Sequence, residues 1–376
     1  MPNVTTQSRY LIRSGPFKEW MKQVMLSRGF DEQEARLSAE FSAIAAQYEV
    51  ETHGARKLLH LLDDEMQRSD SCHPAVQHEV LVRAGALEVW DAHRKLGPAV
   101  AYQAQARAAD LARSQGAGVV LVRNTNHFGW GGAYALHFMQ DGLLSGNVCQ
   151  GAIPIVTPVG GNQATMGSNA ISIAMETYSK ECPMLLWDAG IGAVSWGEVQ
   201  QRRLDGTLLP GGCALDAQGN PTSDANVATS ILPAGSIGNA LGLLIELLAA
   251  QIGAGDPKCR SGEPEKVPAG EPVTCVFVHF SVNLSLFDEF AFPHGRSRSE
   301  NVAAMVEALL QSNGSARLCG LRKWQARQRA ENSGGLLFAR QSIDAFQREA
   351  EARGVPLPAD VREIEVDVPA IQVAGK

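Results

Sequence analysis

Apolar positions in the first part of the chain recur at helical spacing. Phe17, Met21, Val24 and Met25 fall on one face of a predicted helix that stops near Gly29. Asp31 opens a second, and Glu34 three positions later completes a capping-box pattern. A break at His53-Gly54 precedes a third. From about residue 76 the period shortens to two, and "HEVLVRAGALEVWDA" reads as a hairpin turning at Ala84-Gly85. "GPAVAYQAQARAADLARSQG" predicts a helix. "AGVVLVRN", "LLSGNVCQ", "NAISIAME", "PMLLWDA" and "PVTCVFVHFSVN" predict strands, and "IGNALGLLIELLAAQIG" a helix. Residues 255–272 are rich in glycine, proline and charge, as in an exposed loop. Beyond residue 295 the chain reads as charged helix. The expected organisation is an α/β centre at 76–294 between helical ends at 1–75 and 295–376.

Composition narrows the function. At 376 residues and 45% hydrophobic content the chain can bury a large core. Its net charge is −7, and no basic stretch is dense enough to track phosphates, which argues against nucleic acid. The longest apolar run starts at Ala240, is too short to span a bilayer and contains Glu246. No signal-peptide pattern opens the chain. The seven cysteines are scattered without a CxxC pair, and no histidines stand at metal-ligand spacing, so neither a disulfide framework nor a metal site is expected. These features predict a cytoplasmic protein.

Several stretches could carry chemistry. "DAGIGAVSWG" offers Gly190-x-Gly192-x-x-Ser195, a partial dinucleotide fingerprint, but the βαβ unit that a Rossmann turn requires is not predicted after it. Asp188, at the end of an apolar strand, is either a structural cap or a site residue. "ETHGARK" gathers Thr52, His53, Arg56 and Lys57 at a helix start. It fits proton transfer beside carboxylate binding, or a surface turn. Gly160, Gly161 and Gly167 either cradle a ligand or make turns. In "NTNHFGWGGAYA", His127 precedes Phe128, Gly129, Trp130 and further small residues. That composition fits close approach of a flat ligand, or a histidine packed where a strand becomes a helix.

Taken in order, "THG", "NTNHFGWGGAYA", "TPVGG", "GSNAISIA", "LLWDA", "LDAQGNPTSD" and "LPAGSIGNALGLLIELLA" resemble the malate/L-lactate dehydrogenase family. The resemblance runs in register from about residue 15 to 255 and is weaker from 270 to 370. "GALEVWDAHRKLGPAVA" looks most like its diketogulonate reductase branch. It implies a non-Rossmann, NAD- or NADP-binding mixed-sheet domain beside a helical domain built from both chain ends, in a homodimer. The implied reaction is hydride transfer between a nicotinamide and C2 of a small 2-oxo or 2-hydroxy acid, or of a cyclic imino acid. By resemblance His53 is the proton donor, Asp188 its supporting carboxylate, and Thr52 the hydroxyl beside it. Lys57 stands where many members place a carboxylate-binding arginine, with Arg56 as a substitute. His127 lies near substrate and nicotinamide, together with Phe128 and Gly129. Leu186, Trp187, Asp188 and Gly190 match a cofactor-lining stretch, Ile237-Gly238 a second, and Gly320 a third.

The chain departs from the family at specific points. Ile237 replaces a lysine, "CQG" at Cys149–Gly151 replaces "TNS", "GSNA" at Gly167–Ala170 replaces "GTNP", and "LCGLR" at Leu318–Arg322 replaces an "LPGE"-like element. A dimeric relative without turnover is the alternative that these changes motivate.

Overall fold

The computed structural model describes residues 4–68, 74, 76–151, 153–252, 274–288, 292–312 and 316–369. The loop expected at 255–272 lies outside them. The chain divides into two compact units, Met1–Leu62 with Arg322–Lys376, and Asp63–Leu321.

The first unit opens with β1 (Val4–Ile12), followed by α1 (Ser14–Ser27) and α2 (Glu32–Gln47). Phe17, Trp20, Met21, Val24 and Met25 of α1 are buried, as the helical spacing requires. Asp31 caps α2, its side chain accepting from the Glu34 amide at 2.8 Å. That bond satisfies one of the amides a helix start leaves without an internal partner. Helix α3 (Ala55–Arg68) follows the break at His53-Gly54.

The second unit carries β2 (Glu79–Ala84), β3 (Leu87–Asp91), α4 (Gly97–Gln115), β4 (Ala117–Thr125), α5 (Gly131–Phe138), β5 (Leu143–Gln150), β6 (Ala170–Glu176), β7 (Met184–Gly190) and α6 (Trp196–Asp205). Three two-residue strands follow, β8 (Ala214–Leu215), β9 (Pro221–Thr222) and β10 (Ser230–Ile231), then α7 (Gly235–Gln251), β11 (Cys275–Asn283) and α8 (Arg298–Gln311). The main sheet has the order β2-β3-β4-β11-β5-β6-β7. Its neighbours pair antiparallel except β3 and β4, which α4 joins as a parallel crossover. Gly118 is what lets α4 lie close. A Cβ there would come within 2.2 Å of the Ala108 carbonyl oxygen. The β2-β3 turn sits at Gly85, whose φ is +57°.

The chain then returns to the first unit as α9 (Leu321–Ser333), β12 (Leu336–Phe338), α10 (Arg340–Arg353) and β13 (Arg362–Pro369). The ends were expected to be helical, but they also form a three-stranded sheet of order β12-β1-β13. The rings of Phe17 and Phe338 lie 4.9 Å apart under it, with Phe346 of α10 against both. The Arg28 guanidinium donates to both oxygens of buried Glu349, at 2.9 and 2.7 Å. A forked pair of this kind keeps two buried charges mutually satisfied. The second unit runs to Leu321 and so includes α8.

Candidate active site

In the first unit the candidate proton-transfer residues sit on the turn into α3. Thr52 and His53 are exposed, and Thr52 Oγ1 lies 3.0 Å from His53 Nδ1. Gly54 is sterically required. A Cβ there would stand 2.4 Å from the Val50 carbonyl oxygen. The Gly54 carbonyl accepts from Leu58 N, which starts the helix directly after the histidine. Arg56 and Lys57 fall in the first turn of α3 and are half-buried. Arg56 shares a small cavity with Glu49, Glu51 and Ser342. That acidic company suits a structural cation better than a substrate-binding one.

In the second unit the candidate cofactor residues gather along β7, the rim strand of the main sheet. At its start, Leu186 N donates to the Cys319 carbonyl at 3.1 Å. Gly320, with φ +94°, passes so close that a Cβ would lie 2.8 Å from Leu186 N. Trp187 is 41% exposed, and Asp188, Ala189 and Gly190 follow on the open rim. Ile191 N, just beyond the strand, donates to the Asn169 carbonyl at 3.0 Å. A Cβ on Gly238 would stand 2.5 Å from the Ile191 carbonyl oxygen. The stretches around 186–190, 238 and 320, far apart in sequence, therefore converge on one strand.

The His127 loop meets the same rim through its last residue. Trp130 Nε1 donates to Asp188 Oδ2 at 2.6 Å, and Ser172 Oγ to Asp188 Oδ1 at 2.6 Å. Ser172 stands directly across from Asp188 in the β6-β7 register. Asn147 stands across from Ser172, and His279 across from Asn147. A polar row thus crosses the sheet from its buried middle to its rim. Gly131 allows α5 to sit on that row. A Cβ there would come within 2.4 Å of Asn147 Oδ1 and 2.7 Å of Ser172 Oγ. Asn147 Nδ2 donates to the Gly131 carbonyl at 2.9 Å.

His127 is half-buried, and its Nδ1 accepts from Gly129 N at 2.9 Å. Because a backbone N–H can only donate, the ring proton then belongs on Nε2. The Phe128 side chain packs inward. It is 3% exposed, and its ring stacks 4.4 Å from Phe277. Only its backbone is left for a ligand. Behind the loop, Asn124, His93 and Arg94 have φ of +52°, +48° and +63°. Asp91 accepts from His93 N, Asn124 Nδ2 and Arg123 Nε, at 2.8, 3.0 and 2.9 Å. Burial pushes the Asp91 carboxyl upward, but these hydrogen bonds outweigh it and hold it below the usual range. They also secure a left-handed backbone that non-glycine residues seldom adopt.

The Gly190-x-Gly192-x-x-Ser195 stretch is not a Rossmann turn. It leads into a helix, α6, capped by Ser195. Among the described residues no parallel strand precedes or completes the unit, since β7 pairs there only antiparallel, with β6. Trp130, Ser172 and Asn147 were not assigned from sequence. The alternation of "NAISIAME" puts Ser172 on the same face as Ala170 and Ala174. A polar residue in that row was the available signal.

Comparisons with known proteins place the chain in a family. The family description Malate/L-lactate dehydrogenase matches residues 13–347. A malate dehydrogenase of Pyrococcus abyssi is 29% identical over 245 residues, covering 62% of this chain and 66% of that enzyme's length. A 2,3-diketo-L-gulonate reductase of Escherichia coli is 28% identical over 243 residues, covering 63% of this chain and 71% of that protein. The solved sulfolactate dehydrogenase of Methanocaldococcus jannaschii shares the fold, with a TM-score of 0.76 and 22% identity over 92% of this chain and 98% of that one. With the match spanning most of its length, the chain belongs to the malate/L-lactate dehydrogenase family.

Proposed function

We propose that the chain is a nicotinamide-dependent oxidoreductase acting at C2 of a small 2-oxo or 2-hydroxy acid. The observation that carries this is the family match across residues 13–347, which includes the Thr52-His53-Gly54 turn. The rim of β7 suits a nicotinamide dinucleotide. Trp187 offers an exposed flat ring, and Gly190 an open backbone whose nearest neighbour to an added Cβ is 3.4 Å away. Leu186, Trp187, Gly190, Gly238 and Gly320 would hold NAD or NADP, with Gly129 and the backbone of Phe128 beside them. When bound, the nicotinamide exchanges a hydride with C2 of the substrate.

The chain's own residues handle the proton and the carboxylate. His53 donates a proton to the carbonyl oxygen in reduction and takes it back in oxidation, acting at Nε2 while Thr52 Oγ1 holds Nδ1. By the family resemblance Asp188 is the carboxylate that supports this proton transfer, its negative charge favouring the protonated imidazole. Lys57 offers a point charge to the substrate carboxylate, without the two-pronged grip of an arginine. His127 contributes a further hydrogen bond from Nε2.

The test is reduced-nicotinamide absorbance with NADH or NADPH and a panel of 2-oxo acids, diketo sugar acids and cyclic imino acids. Oxidation with an oxo acid is expected. Oxidation with the cyclic imino acids alone would move the reading to an imine reductase. Silence across the panel, with no cofactor binding by fluorescence, would leave a non-catalytic relative.

A homodimer belongs to the same reading. Ile237, Leu244 and Leu247 of α7 are 76%, 62% and 62% exposed, an apolar stripe that a second copy would cover. Light scattering is expected to give twice the chain mass. A monomer at micromolar concentration would remove this part of the proposal.

A further inference from the structure

We propose that Trp130 and Ser172 are positioning residues for the Asp188 carboxylate, each fixing one of its oxygens. The inference rests on the reading in which Asp188 supports the proton-transfer histidine. The two donors reach different oxygens, Oδ2 and Oδ1, both at 2.6 Å. Asp188 itself is exposed at the sheet rim, while Trp130 and Ser172 are 6% and 1% exposed. An exposed carboxylate has water to satisfy it and needs no buried donor for solvation. Two rigid donors on separate elements instead restrict its rotation and leave each oxygen a further lone pair for a partner.

Both donors are themselves held. Ser172 is on β6, directly across from Asp188, where side chains share one face of the sheet. Trp130 is the N-cap residue of α5. Its indole lies over Gly132, where a Cβ would come within 2.4 Å of the ring. Gly131 brings the start of α5 down onto Asn147 and Ser172, and the Asn147 bond to the Gly131 carbonyl pins it there. The small residues after His127 therefore seat an indole against a carboxylate, besides leaving room for a ligand.

The test uses Trp130→Phe, Ser172→Ala, Asp188→Asn and the two double variants with Asp188→Asn. Turnover is measured with the substrate found in the panel, and cofactor affinity by fluorescence. Each single donor variant is expected to lower kcat about 10- to 100-fold, the scale of a small misplacement at a reacting site. Cofactor affinity should hold. On the Asp188→Asn background neither change should lower kcat further, since both act through that carboxylate. A purely structural role would give losses that multiply with Asp188→Asn, and that result overturns the inference. Should Ser172→Ala fail to fold, Trp130→Phe with its double variant decides alone. Wild-type turnover in Asp188→Asn overturns the inference together with the underlying reading. Loss in Asp188→Asn but full turnover in both donor variants overturns the inference only.

Discussion

Replacing His53 with alanine is expected to lower turnover about 100- to 10,000-fold, the usual contribution of a positioned general acid or base. In free energy that is roughly 3 to 5.5 kcal/mol of lost transition-state stabilisation. The loss should fall on kcat, because no cofactor contact is assigned to this residue. It should also leave folding nearly untouched. His53 is exposed, and its side chain is tied to Thr52 on an external turn. Steady-state kinetics with a nicotinamide fluorescence titration separates the outcomes. Retained turnover would remove His53 from the mechanism, whereas lost cofactor binding would point to a disturbed turn. The neighbouring Gly54 makes such disturbance unlike a side-chain effect, because it is the backbone there that is crowded against Val50.

Acid should destabilise the protein in part through one buried imidazole. His279 is fully enclosed, with Gln105 Oε1 3.0 Å from its Nδ1 and the rings of Phe128, Tyr134 and Phe277 set edgewise around it. Burial lowers its pKa to about 3 from an ordinary value of 6.5. The folded state therefore keeps this ring neutral where the unfolded chain would already protonate it. The stabilising contribution is present above pH 6.5, shrinks as pH falls below it, and is gone near pH 3. Its slope in that window is about 1.4 kcal/mol per pH unit. Urea unfolding of wild type and His279→Gln at pH 6 and pH 4 tests this. The wild type is expected to lose about 2 to 3 kcal/mol more than the variant over that interval. Parallel losses in both proteins would show that other groups carry the acid response.

Elements whose apolar pattern faces a single core were legible in the sequence. Phe17, Met21, Val24 and Met25 gave α1, and the uninterrupted or alternating runs gave β4, β5, β6, β7 and β11. The first unit's sheet was not read, for two different reasons. "VTTQSRYLI" mixes polar and apolar residues without a clean period, and its pairing with β13 is a contact between chain ends that no local pattern encodes. Strand β13, by contrast, does alternate through Ile364, Val366 and Val368, but the surrounding charge masked it as helix. At the candidate site, His53 and Asp188 stood out in the sequence as candidates, and their roles came from family resemblance. The convergence of 186–190, 238 and 320 on β7 is a tertiary fact. So is the row formed by Asn147, Ser172 and Asp188, since each residue alone is an ordinary polar position on its strand.

The place of β11 has a consequence for how the protein is made. This strand lies between β4 and β5, yet the ribosome reaches it only after everything from β5 to α7 has been synthesised. At about 5–20 residues per second, the delay between finishing β5 and starting β11 is on the order of ten seconds. Until β11 arrives, the two strands that flank it in the finished sheet, β4 and β5, each lack the partner for one apolar edge. Such edges are templates for mispairing with other chains. A chain truncated before residue 275 is therefore expected to be a substrate for chaperones or proteases rather than a smaller working domain.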